Sequence, residues 1–273
     1  MKNILILAII ASFLGAGIGN TDARRRKKKA KPAATKATTA QAIKALQGKF
    51  AFGSGPKAVF SLLKAEIKAK YQKKIEKTSG DIAKDAVRRK MFQVIAKVKS
   101  NTMRFIGKKT GWDTSIIDDQ FAHKNNESMV ALVDLGEQKF FFFHNSKLYK
   151  IFISLPTKQF EGYNFAKFQM AMESAYGKAE EVYAKGEGGE TELHHLKWAG
   201  SGGIELWALD KTDVYGNFVF ILVNSSARQQ VVASRKSRGI KVAGSGDFEI
   251  NPIVKQVTKQ TLPSQRKKKD KKK

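Results

Sequence analysis

The sequence predicts an α+β fold. It comprises two tandem helix–three-strand units with antiparallel sheets, a basic helical hairpin inserted in the first, and disordered basic tails. Three observations predict it. Apolar residues recur at helical spacing over 56–101 and 164–176, and strand-like runs fill 128–155 and 193–224. The order helix–three strands therefore occurs twice, at 54–155 and 160–235, with length and order matching better than residues. The two ends are low in complexity and dense in Lys and Arg.

From the N-terminus, Met1-Lys2-Asn3 is a short basic start and Ile4 to Gly19 an apolar run. Thr21-Asp22-Ala23 then offers a small-residue cleavage site. This is the layout of a secretory signal peptide over 1–23, and export to the periplasm or cell envelope is the expectation. The competing reading is an uncleaved anchor, but the run is short of the roughly 20 residues that span a bilayer comfortably. Residues 24–44 are a basic linker too poor in apolar surface to fold.

The first unit is assigned to 45–158, with its helical arm at 57–101. Ala42 to Gln47 predicts a short helix and Gly48 to Phe52 a brief strand. Ser54 is a candidate N-cap before Pro56, and Val59, Leu63, Ile67 and Tyr71 form an inward stripe. Asp81 is a candidate N-cap for a second helix, running to about 98–101, whose other face is basic. Thr102 to Ile106 predicts a strand. Gly107-Lys108-Lys109-Thr110 is no phosphate loop, because the required upstream Gly is Thr102. Strands follow at Ser128–Asp134, Gln138–His144 and Lys147–Leu155, with turns at 135–137 and at Asn145-Ser146. Phe140, Phe141, Phe142 and Phe143 put rings on both faces of one strand. Either both faces are covered, or one is a partner surface.

The second unit is assigned to 159–236. Asn164 to Tyr176 predicts a helix stopped by Gly177. Strands follow at Glu181–Ala184, Leu193–Trp198, Gly203–Asp210 and Gly216–Asn224, then an amphipathic segment at Ala227–Arg235. Residues 237–273 form the basic C-terminal tail.

Composition limits function. The 273 residues include 51 Lys+Arg, 24 Asp+Glu and no cysteine, a net charge of +27. The absence of cysteine excludes disulfides, thiolate metal sites, cysteine nucleophiles and lipid attachment at an N-terminal cysteine. The charge is uneven: residues 57–110 hold sixteen basic groups and four acids, whereas 111–254 hold fifteen and eighteen. Such a balance favours anionic partners: anionic lipid, a cell-wall polyanion, or nucleic acid as an alternative. Candidate anion-binding residues are Arg24, Arg25, Arg26, Lys27, Lys28 and Lys29 in the linker, with Lys84, Arg88, Arg89, Lys90 and Lys97 on the arm. Lys267, Lys268 and Lys269 are the candidates in the tail.

No constellation in the sequence carries catalysis. Ser54, Ser201 and Ser245 sit between glycines without a nucleophile elbow. His194 and His195, adjacent in a strand, would face opposite ways and not share a ligand, while Glu192 and His194 would share a face. Asp118, Asp119, Asn125, Asn126 and Glu127 lack calcium-loop spacing and read as turn residues. No cofactor, metal or small-molecule substrate is predicted.

Phe52-Gly53 followed by Pro56-Lys57-Ala58-Val59-Phe60-Ser61-Leu62-Leu63 resembles the helix start of BamE/SmpA-like outer-membrane assembly lipoproteins. That family shares an αα–βββ unit with β-lactamase-inhibitor-like proteins. Leu148-Tyr149-Lys150-Ile151 is similar to the family's last hairpin, and Tyr176-Gly177-Lys178-Ala179 resembles its Tyr-Gly-Lys-Pro helix end. The chain also resembles exported proteins of deltaproteobacterial type. The resemblance implies the fold unit and an envelope setting, and no functional residue. The lipid-bearing cysteine of the family is missing. The expectation is a non-enzymatic envelope interaction protein that docks on anionic surfaces through its tails and arm, with a partner-binding sheet. An alternative is a nucleic-acid-binding protein with an uncleaved N-terminus. Another is an envelope hydrolase, with His194 or His123 joined to carboxylates in a concave site.

Overall fold

The computed structural model describes residues 38–134, 137–156, 160, 162–185 and 190–240. The segment expected to be a signal peptide, the linker up to residue 37 and the tail from 241 onward lie outside these, as do residues 135–136, 157–159, 161 and 186–189. Six helices are described: α1 (Thr39–Gln47), α2 (Pro56–Glu76), α3 (Asp81–Ser100), α4 (Phe165–Tyr176), α5 (Thr212–Tyr215) and α6 (Ser225–Ser237). The strands are β1 (Thr102–Arg104), β2 (Glu127–Asp134), β3 (Glu137–His144), β4 (Lys147–Pro156), β5 (Glu180–Lys185), β6 (Thr191–Ala199), β7 (Ile204–Lys211) and β8 (Asn217–Asn224). No described helix is long and apolar enough to cross a membrane.

All eight strands form one antiparallel sheet in the order β1-β2-β3-β4-β8-β7-β6-β5. Its centre is the β4–β8 pair, with Phe152 opposite Ile221. Both central strands are apolar almost throughout, as burial on two faces requires. The Asn145-Ser146 turn has both residues at positive φ, 48° and 60°. That geometry matches the twist of a two-residue hairpin.

Helices α1 to α4 cover one face. Val59, Leu63, Ile67 and Tyr71 of α2 and Val94 and Val98 of α3 pack with Val130, Phe141, Phe143, Ile151 and Ile153. On the same face Phe168 of α4 stacks on Phe218, with ring centroids 4.2 Å apart. Helix α6 and the segment 105–122 cover the other face, where Phe105, Ile117, Phe121 and Val231 meet Phe140, Phe142, Phe152 and Ile221. The four-phenylalanine run is thereby explained. Phe141 and Phe143 fill the first layer, Phe140 and Phe142 the second, and none is more than 1% exposed. These rings are core, and their proposal as a partner surface is corrected: this chain's own elements bury them.

Several local expectations also change. The linker assigned to 24–44 overlaps α1, which begins at Thr39 because Thr38 and Gln41 form a capping box. Residues 48–52 form turns rather than a strand; Phe50 plugs against Phe141 at 4.6 Å. Gly55, not Ser54, is the N-cap of α2, with Pro56 at the first position. Ser54 instead accepts a bond from Leu148 N through its carbonyl. Gly80, not Asp81, precedes α3, and its φ of +82° lets the chain reverse between α2 and α3. Asn164 does cap α4, accepting from Lys167 N at 3.0 Å.

Candidate functional site

Two features could carry function, and they lie on opposite faces of the sheet. The first is the outer surface of α3. Its inner stripe, Val87, Met91, Val94 and Val98, packs inward. The outward stripe carries Ile82 at 86% exposure and Phe92 at 61%. Exposed Arg88, Arg89, Lys90 and Lys97 surround them. Lys84 is half-buried, and Arg88 pairs with Asp85. The remaining anion-binding candidates, Arg24 to Lys29 and Lys267 to Lys269, lie outside the described residues.

The second feature is a cavity of about 70 Å³ beneath α6. Two β-bulges build it. Along β4, Phe142 pairs with Lys150 but Phe143 pairs with Leu148, so Tyr149 is an extra residue. Along β6, Val182 pairs with His195 but Tyr183 pairs with Leu193, so His194 is extra. A bulge breaks strict alternation, letting two consecutive side chains serve one face. Tyr149-Lys150 and His194-His195 therefore all line the same cavity. The expectation that the two histidines diverge is corrected. Their Nδ1 atoms lie 2.6 Å apart. Glu192, expected to share a face with His194, is exposed and is not among the cavity-lining residues.

Buried charge surrounds the cavity. Arg235, 5% exposed, donates from Nε to Glu127 Oε1 at 2.7 Å and from Nη2 to Glu127 Oε2 at 2.6 Å. Asn125 Nδ2, Tyr149 OH and Ala122 N also donate to that carboxylate. Burial opposes ionisation of Glu127, but Arg235 outweighs it and holds the carboxyl below its usual range. Lys211 donates to Asp119 Oδ1 at 3.0 Å and to Ile116 O at 3.1 Å. Lys150 donates only to neutral oxygens of Gln120, its carbonyl and its side-chain Oε1. It also sits 4.6 Å over the Phe142 ring. Burial and the Arg235 charge push Lys150 down to about 7. Arg228, half-buried, stacks 4.8 Å over Trp207. Burial and the neighbouring His194 hold His195 down to about 3.

The segment 118–127, read as turn residues, thus supplies the carboxylates of half-buried Asp119 and buried Glu127. Sequence reasoning missed Lys150, Arg228 and Arg235. Lys150 was legible as the one charge in an otherwise apolar strand, Leu148 to Leu155. Arg228, Val231 and Arg235 fall at i, i+3 and i+7, which puts both arginines on the inward stripe of α6.

His123 has a different place. Its Nδ1 accepts from Gly107 N at 3.1 Å and its Nε2 lies 2.7 Å from Asp113 Oδ1. Edge-on contacts with Phe105 and Phe121 complete its surroundings. With both ring nitrogens engaged, it pins the 105–123 segment rather than facing the cavity. Among the described residues, no group of three or more His, Asp or Glu could hold a metal ion. No family model, curated protein or solved structure matches the chain.

Proposed function

We propose that this is a non-enzymatic, exported cell-envelope interaction protein that docks on anionic membrane surfaces through α3 and its basic tails. The observation that carries this is the outer face of α3, where exposed Ile82 and Phe92 lie among Arg88, Arg89, Lys90 and Lys97. A surface helix with apolar side chains inside a basic collar suits the headgroup boundary of a bilayer. Burying one such side chain contributes about 1.5–3 kcal/mol. Each nearby Lys or Arg adds about 1 kcal/mol at an anionic surface. A cell-wall polyanion would use the charges and leave Ile82 and Phe92 in water, so lipid is the better fit.

The sheet order supports the reading of two tandem units. Strands β2-β3-β4 run inward to the centre from one side, and β6-β7-β8 run inward from the other. The last strand of each unit then pairs antiparallel at the middle, β4 with β8. This is what two copies related by an approximate twofold axis would give, and it agrees with the αα–βββ unit implied by the envelope-lipoprotein resemblance.

The test is co-sedimentation of the full chain with vesicles of phosphatidylglycerol or of phosphatidylcholine. Binding to the anionic vesicles, lost as salt rises, is expected. Ile82→Asp with Phe92→Asp should weaken it, and so should Lys90→Glu with Lys97→Glu. Equal binding to both lipids would overturn the reading. So would wild-type behaviour of the Ile82/Phe92 variant.

A further inference from the structure

We infer that the cavity under α6 is a binding site for a small aliphatic carboxylate, its charged end on Lys150 and its apolar end on Leu209, Ile221 and Val231. The inference is independent of the docking face, which lies across the sheet.

Charge is the first argument. Asp119, which lines the cavity, and Glu127, which holds the lining Arg235, already have cationic partners, Asp119 with Lys211 and Glu127 with Arg235. Lys150 and Arg228 form no ion pair with either. Lys150 is 7% exposed, and its hydrogen bonds go to the uncharged Gln120. Glu127 and Asp119 act on Lys150 without bonding to it and do not offset its burial, which an anion entering the cavity and bonding to it directly would do. Arg228 stands at the same cavity with its guanidinium over Trp207, within the reach of a second charge-assisted bond.

Shape is the second argument. The cavity holds about 70 Å³. A water needs roughly 10–15 Å³ of such space, so the cavity has room for a small organic anion. The lining is also mixed in polarity. Lys150 and Arg228 stand with the histidine pair, while Leu209, Ile221 and Val231 supply an apolar wall. Phosphate carries oxygen on every side and would press it against that wall. Formate, acetate and propionate have one polar end. A cation is disfavoured by the surrounding lysine and arginines.

The lowered Lys150 pKa agrees with this arrangement: burial and the Arg235 charge disfavour the ammonium, and a bound carboxylate would favour it.

The experiment is calorimetric titration of the full chain at constant ionic strength. The probes are sodium formate, acetate, propionate, butyrate and inorganic phosphate. Saturable binding of the carboxylates is expected, with phosphate weak. Lys150→Met should weaken acetate binding about tenfold or more, the worth of one charge-assisted hydrogen bond. Arg228→Gln, on a half-exposed side chain that folding tolerates, should weaken it by a smaller factor and decides the matter if Lys150→Met does not fold. No saturable binding in the millimolar range would overturn the inference. Tighter binding of phosphate than of acetate would do the same. Indifference to Arg228→Gln together with a folded, wild-type-like Lys150→Met would also overturn it.

Discussion

Glu127→Gln is expected to destabilise the fold by about 3–5 kcal/mol, the usual cost of breaking a buried ion pair from one side. The structure explains the size. Glu127 is 2% exposed, and five donors converge on its two oxygens: two from Arg235 and one each from Asn125, Tyr149 and Ala122. Glutamine keeps the shape but loses the charge, and it turns one acceptor into a donor facing other donors. The Arg235 guanidinium is then buried without an anion. Urea unfolding at pH 7 reads the loss. With a slope of roughly 2–3 kcal/mol per molar, the midpoint should fall by about 1–2 M. The double change Glu127→Leu with Arg235→Met should recover most of it, because a well-packed apolar pair avoids both desolvation costs. The pH dependence has a definite sign. The folded carboxyl is held below the ordinary glutamate value of about 4.5. Its stabilisation is therefore present above about 4.5 and is lost as pH falls through the depressed folded value. A midpoint that barely moves in Glu127→Gln, or that is unchanged between pH 7 and pH 3, would refute this reasoning.

Other outcomes follow from the same physics. Phe141→Ala should cost about 3–5 kcal/mol in urea unfolding, since the ring is fully buried against Phe50. Ile82→Ser should stay within roughly 0.5 kcal/mol of wild type, because that side chain packs on nothing; a larger loss would show that α3 is covered in the folded chain. Asn164→Ala should cost about 1 kcal/mol through loss of its bond from Lys167 N. His195 should remain neutral at pH 5 by imidazole ¹⁵N shifts, because burial favours the uncharged ring. The unfolded chain binds that proton at about 6.5 and the folded chain only near 3. Its contribution to stability therefore declines as pH falls from 6.5 toward 3. An imidazolium signal from His195 at pH 5 would contradict the burial argument.

The sequence by itself determined the α+β class, the three long helices to within a few residues of their observed ends (Pro56–Glu76, Asp81–Ser100 and Phe165–Tyr176), and the strands of both blocks. Periods of 3.6 and 2 are local signals, and each was long enough here to be read. Turn chemistry was equally local: Asn145-Ser146 and Gly177 sit where their φ values demand. Local reasoning failed where a contact distant in sequence decided the outcome. Residues 48–52 have strand-like composition, but Phe50 is taken up by Phe141 across the layer. The four phenylalanines left two readings open, and only the packing of α6 and the 105–122 segment closed the second face over Phe140 and Phe142.

The cavity shows the same division more sharply. Strict alternation sends His194 and His195 to opposite faces, and likewise Tyr149 and Lys150. Each pair reaches one face only because its strand carries one residue more than its partner at that point. A bulge is a property of two strands in register, and neither strand encodes it alone. The charges that meet there come from β2, β4, β6, α6 and the loop before β2, separated by up to about a hundred residues, as Glu127 and Arg235 are. The sequence determined that these groups exist and that most lie in apolar surroundings. The tertiary structure alone decided which carboxylate neutralises which cation, and so which lysine is left facing the cavity without one.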